Sequence, residues 1–173
     1  MALELRDYIR DIPDFPKPGI GFKDITPLLS SAEAFRETLD RLAAPYLRKG
    51  VTKVVAIESR GFIFGAPLAR ALQCGFVPIR KPGKLPYQTV RHEYELEYGS
   101  DVLEMHEDAL VAGDHVLLVD DVLATGGTAA AATSLIRSFG SEVTAVAFVI
   151  ELSFLHGRDR LSDVSIHSLI EYD

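Results

Sequence analysis

The chain has 173 residues, 47% of them hydrophobic and 25% charged, and carries a net charge of −7 from 18 basic and 25 acidic side chains. That length suits one ordinary domain, and that balance suits a globular protein with a sizeable core. The acidic excess argues against nucleic acid as a partner, because such binding rests on neutralising phosphates, and no apolar run approaches the roughly 20 residues that a membrane span needs.

The N-terminal stretch MALELRDYIRD is charged and amphipathic and lacks the apolar centre of a signal peptide, so a cytoplasmic location is expected. Residues 13–27 follow as a loop carrying four prolines and two glycines. A helix is predicted from near Ser30, where Ser30 and Glu33 have capping-box spacing. Its apolar stripe is Phe35, Leu39, Leu42, Ala43 and Tyr46, and Gly50 stops it. Lys53 to Ile57 reads as a buried strand, Phe62 to about Cys74 as a helix closed by Gly75, and Phe76 to Arg80 as the next strand. Cys74 is the single cysteine. It excludes an internal disulfide and is expected to be a small buried hydrophobe. From 87 to 98, Val90, His92, Tyr94, Leu96 and Tyr98 alternate with Arg91, Glu93, Glu95 and Glu97, the period of a half-exposed antiparallel strand or an extended flap. Buried strands at Val116 to Val119 and Val143 to Ile150 then enclose an alanine-rich helix from about Gly127 to Phe139, ended by Gly140. His92, His106, His115, His156 and His167 have no metal-binding spacing and are expected to be structural or exposed. Short β-branched strands alternating with helices predict an α/β fold, an open parallel sheet flanked by helices.

The stretch that points to chemistry is Val116-Leu-Leu-Val-Asp-Asp-Val-Leu-Ala-Thr-Gly-Gly-Thr128. Its strand delivers Asp120 and Asp121 to the carboxyl end, where open α/β sheets bind ligands. Adjacent strand residues point to opposite sides, so both carboxylates face one ligand atom only if the strand is ending there. Ala124, Thr125, Gly126, Gly127 and Thr128 then offer successive backbone N–H groups and two hydroxyls at a helix N-terminus, a nest suited to a monophosphate. An acid pair beside a phosphate nest suits a phosphorylated sugar with free hydroxyls. A lone Gly-Gly-Thr would be an ordinary capped helix; the whole run carries the inference.

This run closely resembles the signature with which type I phosphoribosyltransferases bind phosphoribosyl pyrophosphate (PRPP). The resemblance implies that Asp120 and Asp121 meet the ribose 2′- and 3′-hydroxyls and that residues 124–128 cradle the 5′-phosphate. It also implies that Mg²⁺ serves the reaction while being held mainly by PRPP rather than by direct protein ligands.

Three further segments resemble the adenine phosphoribosyltransferases within that family. Glu58-Ser59-Arg60-Gly61-Phe62 places an arginine, the side chain for bidentate phosphate contact, in a tight loop. By resemblance Ser59 and Arg60 bind pyrophosphate, Arg60 aids catalysis, and the Glu58-Ser59 peptide is cis; the plain alternative is a surface Glu58–Arg60 pair. Arg80-Lys81-Pro82-Gly83-Lys84 gathers cations that suit a pyrophosphate. The resemblance assigns Arg80, Lys81 and Lys84 to it, some of them reaching a neighbouring subunit, and so implies a homodimer. The alternative there is a solvated loop. In Asp14-Phe-Pro-Lys-Pro-Gly-Ile-Gly-Phe-Lys-Asp-Ile-Thr-Pro27, proline and glycine fix backbone acceptors that would select a 6-amino purine over a 6-oxopurine. The resemblance puts adenine against the backbone of Gly21 and Lys23, with Phe22 packing on the base. Family members often carry a branched residue and an arginine where Gly21 and Lys23 stand.

Nearly the whole chain shares the resemblance, from about Ile12 through Leu96-Glu-Tyr-Gly99 to Gly157-Arg-Asp-Arg-Leu161. It implies one domain over 1–173, with a small base-binding hood segment at 1–30 and a flexible antiparallel flap at 84–100. On that flap Glu97 would manage the proton at adenine N7, with Tyr98 beside it, although periodicity alone makes Glu97 one of several charges on a solvated face. The implied reaction joins adenine N9 to the ribose of PRPP, giving AMP and pyrophosphate in purine salvage. Other readings remain: a phosphoribosyltransferase for xanthine or guanine, or a PRPP-sensing regulator without catalysis. The loop around Phe22 argues against the first, and the acidic charge and absence of spare length argue against the second.

Overall fold

The computed structural model describes residues 3–95 and 99–173, which divide into two compact units, one up to Arg41 and one from Leu42 onward. In the first unit the proline-rich segment is a closed loop between two short strands. Strand β1 (Arg10–Ile12) pairs antiparallel with β2 (Phe22–Asp24), and between them Phe15 N–H donates to Ile20 O at 2.9 Å. Asp14 fastens the turn by accepting from Gly19 N–H at 2.8 Å, and the Phe15-Pro16 peptide is cis. A short helix α1 (Thr26–Ser30) precedes the main helix α2 (Ala32–Ala43).

The α2 cap differs from the sequence expectation. Ser31, not Ser30, accepts from Ala34 N–H at 3.2 Å, because Ser30 turns its hydroxyl back to Pro27 O at the end of α1. The buried positions on α2 are Ala34, Thr38, Leu42 and Ala43, while Phe35 and Leu39 are half-buried. Thr38 is tolerated inside because its hydroxyl donates to Ala34 O.

In the second unit β3 (Lys53–Ile57), α3 (Gly61–Leu72) and β4 (Gly75–Ile79) form a strand–helix–strand crossover, the connection that parallel neighbours require. The helix ends earlier than the apolar pattern suggests. Gln73 takes the left-handed conformation at φ 57°, and Cys74 N–H returns to Ala69 O, so Gln73 closes α3 and Gly75 already belongs to β4. Cys74 is half-buried rather than inside the core. An antiparallel hairpin, β5 (Thr89–Glu95) and β6 (Ser100–His106), comes next; it extends past residue 100, where the flap was expected to end. Then follow β7 (His115–Leu123), α4 (Gly127–Arg137), β8 (Glu142–Leu152) and β9 (Ile166–Tyr172). Gly140, at φ 74°, turns the chain after α4.

The five strands of the parallel sheet lie in the order β4-β3-β7-β8-β9. Alternate residues of each strand feed opposite faces. Val55, Ile57, Val116, Leu118, Val146 and Phe148 join Ala132, Leu135 and Ile136 of α4 in one core cluster. On the other face α3 comes so near that a Cβ on Gly65 would stand 2.6 Å from that of Ala56, so glycine is needed there. The winding reverses between β3 and β7. Such a switch point opens a crevice at the carboxyl ends of the strands, where the sequence places its acid pair and its phosphate nest.

Candidate active site

Two loops meet the switch point. The one after β3 carries Ser59 and Arg60 and has a cis Glu58-Ser59 peptide, as the family resemblance implied. The one after β7 carries Ala124 to Gly127. Strand β7 does not stop before the acids, as the sequence reading supposed. It pairs with β8 through Asp120↔Phe148, Val122↔Ile150 and Leu123↔Glu151, because the apolar pattern resumes at Val122. The two carboxylates are therefore held differently. Asp121 is 4% exposed, and its Oδ2 lies 2.8 Å from Arg60 Nε. Asp120 is half-buried, accepts from Asp121 N–H at 2.9 Å, and sits where a Cβ on Gly61 would stand 3.0 Å from its Oδ1. Burial and the charge of Asp121 push the Asp120 carboxyl well above the usual carboxylate range. Burial also raises Asp121, with the Arg60 guanidinium pulling the other way.

The glycine-containing nest at 124–128 is shaped by its neighbours. Gly126 is left-handed at φ 81°, and a Cβ there would collide with Gly157 O. The reverse also holds, since a Cβ on Gly157 would collide with Ala124 O and stand 3.1 Å from Gly126 N. The turn after β8 thus interlocks with the nest. Its next residue, Arg158, is fixed by buried Glu151 through two bonds of 2.6 Å, and Ser168 donates to the same carboxylate. The Arg158 pair holds the Glu151 carboxyl below its usual range against the upward push of burial.

The basic loop after β4 is ordered by acids rather than solvated. Glu58, whose side chain is 6% exposed, accepts from Arg80 Nε at 2.9 Å, Lys81 N–H at 2.6 Å and Lys84 Nζ at 3.3 Å. Burial drives the Glu58 carboxyl up, but those donors prevail and hold it below its ordinary value. Glu58 does not form the surface pair with Arg60 that was the plain alternative; Arg60 turns to Asp121 instead. Lys81 Nζ pairs with Asp101, and Tyr94 OH lies 3.3 Å from Asp101 Oδ2 and 3.2 Å from Thr128 Oγ1. One chain of contacts therefore runs from the basic loop through the hairpin to the last residue of the nest.

Asp120, Asp121, Arg60, the nest at 124–128 and the loop of Arg80, Lys81 and Lys84 all belong to the second unit and gather at the carboxyl side of its sheet. Gly21, Phe22 and Lys23 belong to the first unit. There Phe22 makes an edge-to-face contact with Phe15 at 5.2 Å, and Lys23 Nζ pairs with Asp11. Glu97 and Tyr98 lie outside the described residues. Tyr94, Asp101 and Glu104 were not singled out in the sequence; the available signal was Glu104 standing inside the apolar run Val102-Leu-Glu-Met105. Among the described residues, no group of three or more His, Cys, Asp or Glu is arranged to hold a metal ion, and no helix is long and apolar enough to cross a membrane.

A doubly wound parallel sheet with an acid pair and a glycine nest at its switch point has the architecture of a phosphoribosyltransferase, and residues 29–168 match the family described as phosphoribosyl transferase domain. A protein of Roseiflexus sp. named adenine phosphoribosyltransferase is 57% identical over 99% of this chain and 100% of its own length. The crystal structure of adenine phosphoribosyltransferase from Thermoanaerobacter pseudethanolicus superposes with a TM-score of 0.94 at 52% identity, covering 97% of this chain and 98% of that one. The Saccharomyces cerevisiae enzyme, solved with adenine and an imino-altritol bisphosphate, gives 0.88 at 40% identity over 95% and 96% of the two chains. The chain belongs to the adenine phosphoribosyltransferase family.

Proposed function

We propose that this protein transfers the ribose 5-phosphate group of PRPP to N9 of adenine, yielding AMP and pyrophosphate. The observation that carries the reading is the pairing, within one strand–loop–helix, of the Asp120–Asp121 acids with the Ala124–Thr128 nest, in a chain alike over its full length to adenine phosphoribosyltransferases. Breaking the bond from the anomeric carbon to pyrophosphate makes the ribose oxocarbenium-like, so catalysis consists mainly of positioning and charge stabilisation. The nest amides and Thr128 hold the 5′-phosphate. Asp120 and Asp121 hold the ribose hydroxyls and favour the positive charge that develops beside them. Ser59, Arg60, Arg80, Lys81 and Lys84 take the departing pyrophosphate. Each of these cations contacts a carboxylate: Arg60 meets Asp121, Arg80 and Lys84 meet Glu58, and Lys81 meets Asp101.

Backbone groups of Gly21 and Lys23 with the Phe22 ring read the adenine, and Glu97 handles the N7 proton with Tyr98 beside it. Mg²⁺ fits the donor chemistry, since Asp120 and Asp121 are oxygen ligands whose ionisation burial opposes, and a nearby divalent cation offsets that cost. Those two acids would approach the ion, which PRPP itself would mainly carry, and the ion would neutralise charge on the leaving pyrophosphate. The protein works as a cytoplasmic homodimer, within which part of the basic loop serves the partner's site.

The test is direct. Protein incubated with adenine, PRPP and Mg²⁺ should form AMP, with hypoxanthine and guanine turned over far less. No AMP under these conditions would overturn the reading, and equal use of hypoxanthine would overturn the base assignment.

A further inference from the structure

We propose that Glu104 is a positioning residue for pyrophosphate, acting through the backbone of the basic loop; this rests on the loop's role in the function proposed above. Glu104 lies in the middle of β6 between Leu103 and Met105, which are fully buried, and is itself 1% exposed. A carboxylate so placed is costly to desolvate, and an apolar side chain would often serve stability as well or better. Both its main chain and its carboxylate reach the basic loop. Arg80 N–H donates to Glu104 O at 2.9 Å, and Glu104 N–H donates to Arg80 O at 2.8 Å, a two-bond bridge at the point where the basic loop leaves β4. Two residues beyond Lys81 Glu104 acts again, its Oε2 accepting from Gly83 N–H at 3.1 Å. Gly83 is left-handed at φ 76°, so this bond fastens the loop at its turn. The remaining oxygen, Oε1, meets Arg91 Nε at 2.7 Å across the hairpin.

Glu58 and Glu104 therefore divide the work. Glu58 binds the loop's cations and the N–H of Lys81, groups that exchange when a pyrophosphate arrives. Glu104 binds only backbone of the loop, at Arg80 and Gly83, and those bonds persist whatever the side chains hold. Arg80, Lys81 and Lys84 are then presented on a backbone of fixed shape, which lowers the ordering cost of gripping a flexible polyanion.

The experiment compares Glu104→Gln, Glu104→Ala and Arg91→Ala with wild type by melting, by calorimetric binding of Mg-pyrophosphate and of AMP, and by steady-state kinetics. Glu104→Gln keeps a carbonyl for Gly83 N–H and should lose only a few-fold in pyrophosphate affinity. Glu104→Ala should lose about tenfold or more, the scale of a hydrogen bond to a charged group, with the KM for PRPP rising in step. AMP affinity and the KM for adenine should stay within about twofold, a split that general loosening of the fold would not give. Arg91→Ala should leave pyrophosphate binding unchanged. Wild-type pyrophosphate affinity in both folded Glu104 variants would overturn the proposal. So would an equal loss in Arg91→Ala, which would put the role in the hairpin ion pair. If Glu104→Ala does not fold, Glu104→Gln decides alone: weaker pyrophosphate binding with intact AMP binding supports the proposal, and unchanged binding of both rejects it. A wild type that makes no AMP would instead overturn the function from which the inference starts.

Discussion

Asp120 is a half-buried carboxylate beside the buried Asp121, and burial together with the charge of Asp121 opposes its ionisation. The sign of the resulting pH effect follows. Both have folded pKa values raised above the ordinary 3.8. Their contribution to stability is intact below that value and is lost as pH rises toward the folded pKa. Asp120→Asn should therefore stabilise the free protein at neutral pH, because an amide oxygen still accepts from Asp121 N–H while the repulsion is gone. A relief of roughly 1 kcal/mol would raise Tm by about 2–4 °C. The gain should vanish near pH 3, where the wild-type pair is neutral too. The same variant should use PRPP poorly, with a raised KM. A calorimetric scan over pH beside a PRPP titration measures both, and a destabilised Asp120→Asn would contradict the assignment of burial and repulsion as the cause. Glu97 calls for a different test. Glu97→Ala should lower kcat by about 10²–10⁴-fold with little change in melting, and Glu97→Gln should restore little if the role is proton transfer. Full activity in Glu97→Gln would leave only a positioning role, and full activity in Glu97→Ala would make it a surface charge.

At the scale of elements, the proposed phosphate nest depends on a turn that lies about thirty residues further along the chain. Gly157→Ala should push Ala124 O and Gly126 N, since a Cβ has no room beside them. We expect a destabilisation of about 1–3 kcal/mol, typical of overpacking, and a loss of AMP affinity larger than the loss for pyrophosphate. Binding calorimetry on the folded variant checks this, and equal losses for the two ligands would deny the turn its specific link to the nest. The interlock also explains what was legible in the sequence. Asp120, Asp121 and residues 124–128 could be read because one contiguous stretch carries strand, acids and glycines. Glu104, Asp101 and Tyr94 could not, since their roles arise from pairing across a hairpin and from bridges such as Arg80↔Glu104, which no local spacing encodes. Central strands β3, β7 and β8 announced themselves by short apolar runs rich in valine. Edge strand β9 did not, because Ile166-His-Ser-Leu-Ile-Glu-Tyr172 is mostly half-buried and mixes polar with apolar residues on both faces. Cap positions slipped for a similar reason: two serines compete before α2, and a left-handed Gln73 ends α3 where a glycine two residues later looked the natural stop.

For the whole molecule, a net charge of −7 coexists with a basic loop whose cations are held by acids of the same chain. Such a loop is ready to be handed to a new anion, and in a C2 dimer the handover can cross the interface in both directions. If part of the loop serves the partner's site, two different inactive variants should rescue each other. We take Lys84→Ala, which lacks a cation of the loop, and Asp120→Ala, which lacks an acid of the proposed ribose site. A mixed dimer then contains one site with an intact acid pair from the first protomer and an intact loop from the second. Its other site lacks both. Random pairing makes about half of the dimers mixed, each with one working site of two, so co-expression should recover about a quarter of wild-type activity. The variants purified separately and assayed together without subunit exchange should remain weak. Light scattering must also give a dimer at the assay concentration. A fully active monomer would remove the dimer from the proposed function. A stable mixed dimer with no recovered activity would keep the dimer but return Lys84 to the site of its own chain, where it pairs with Glu58.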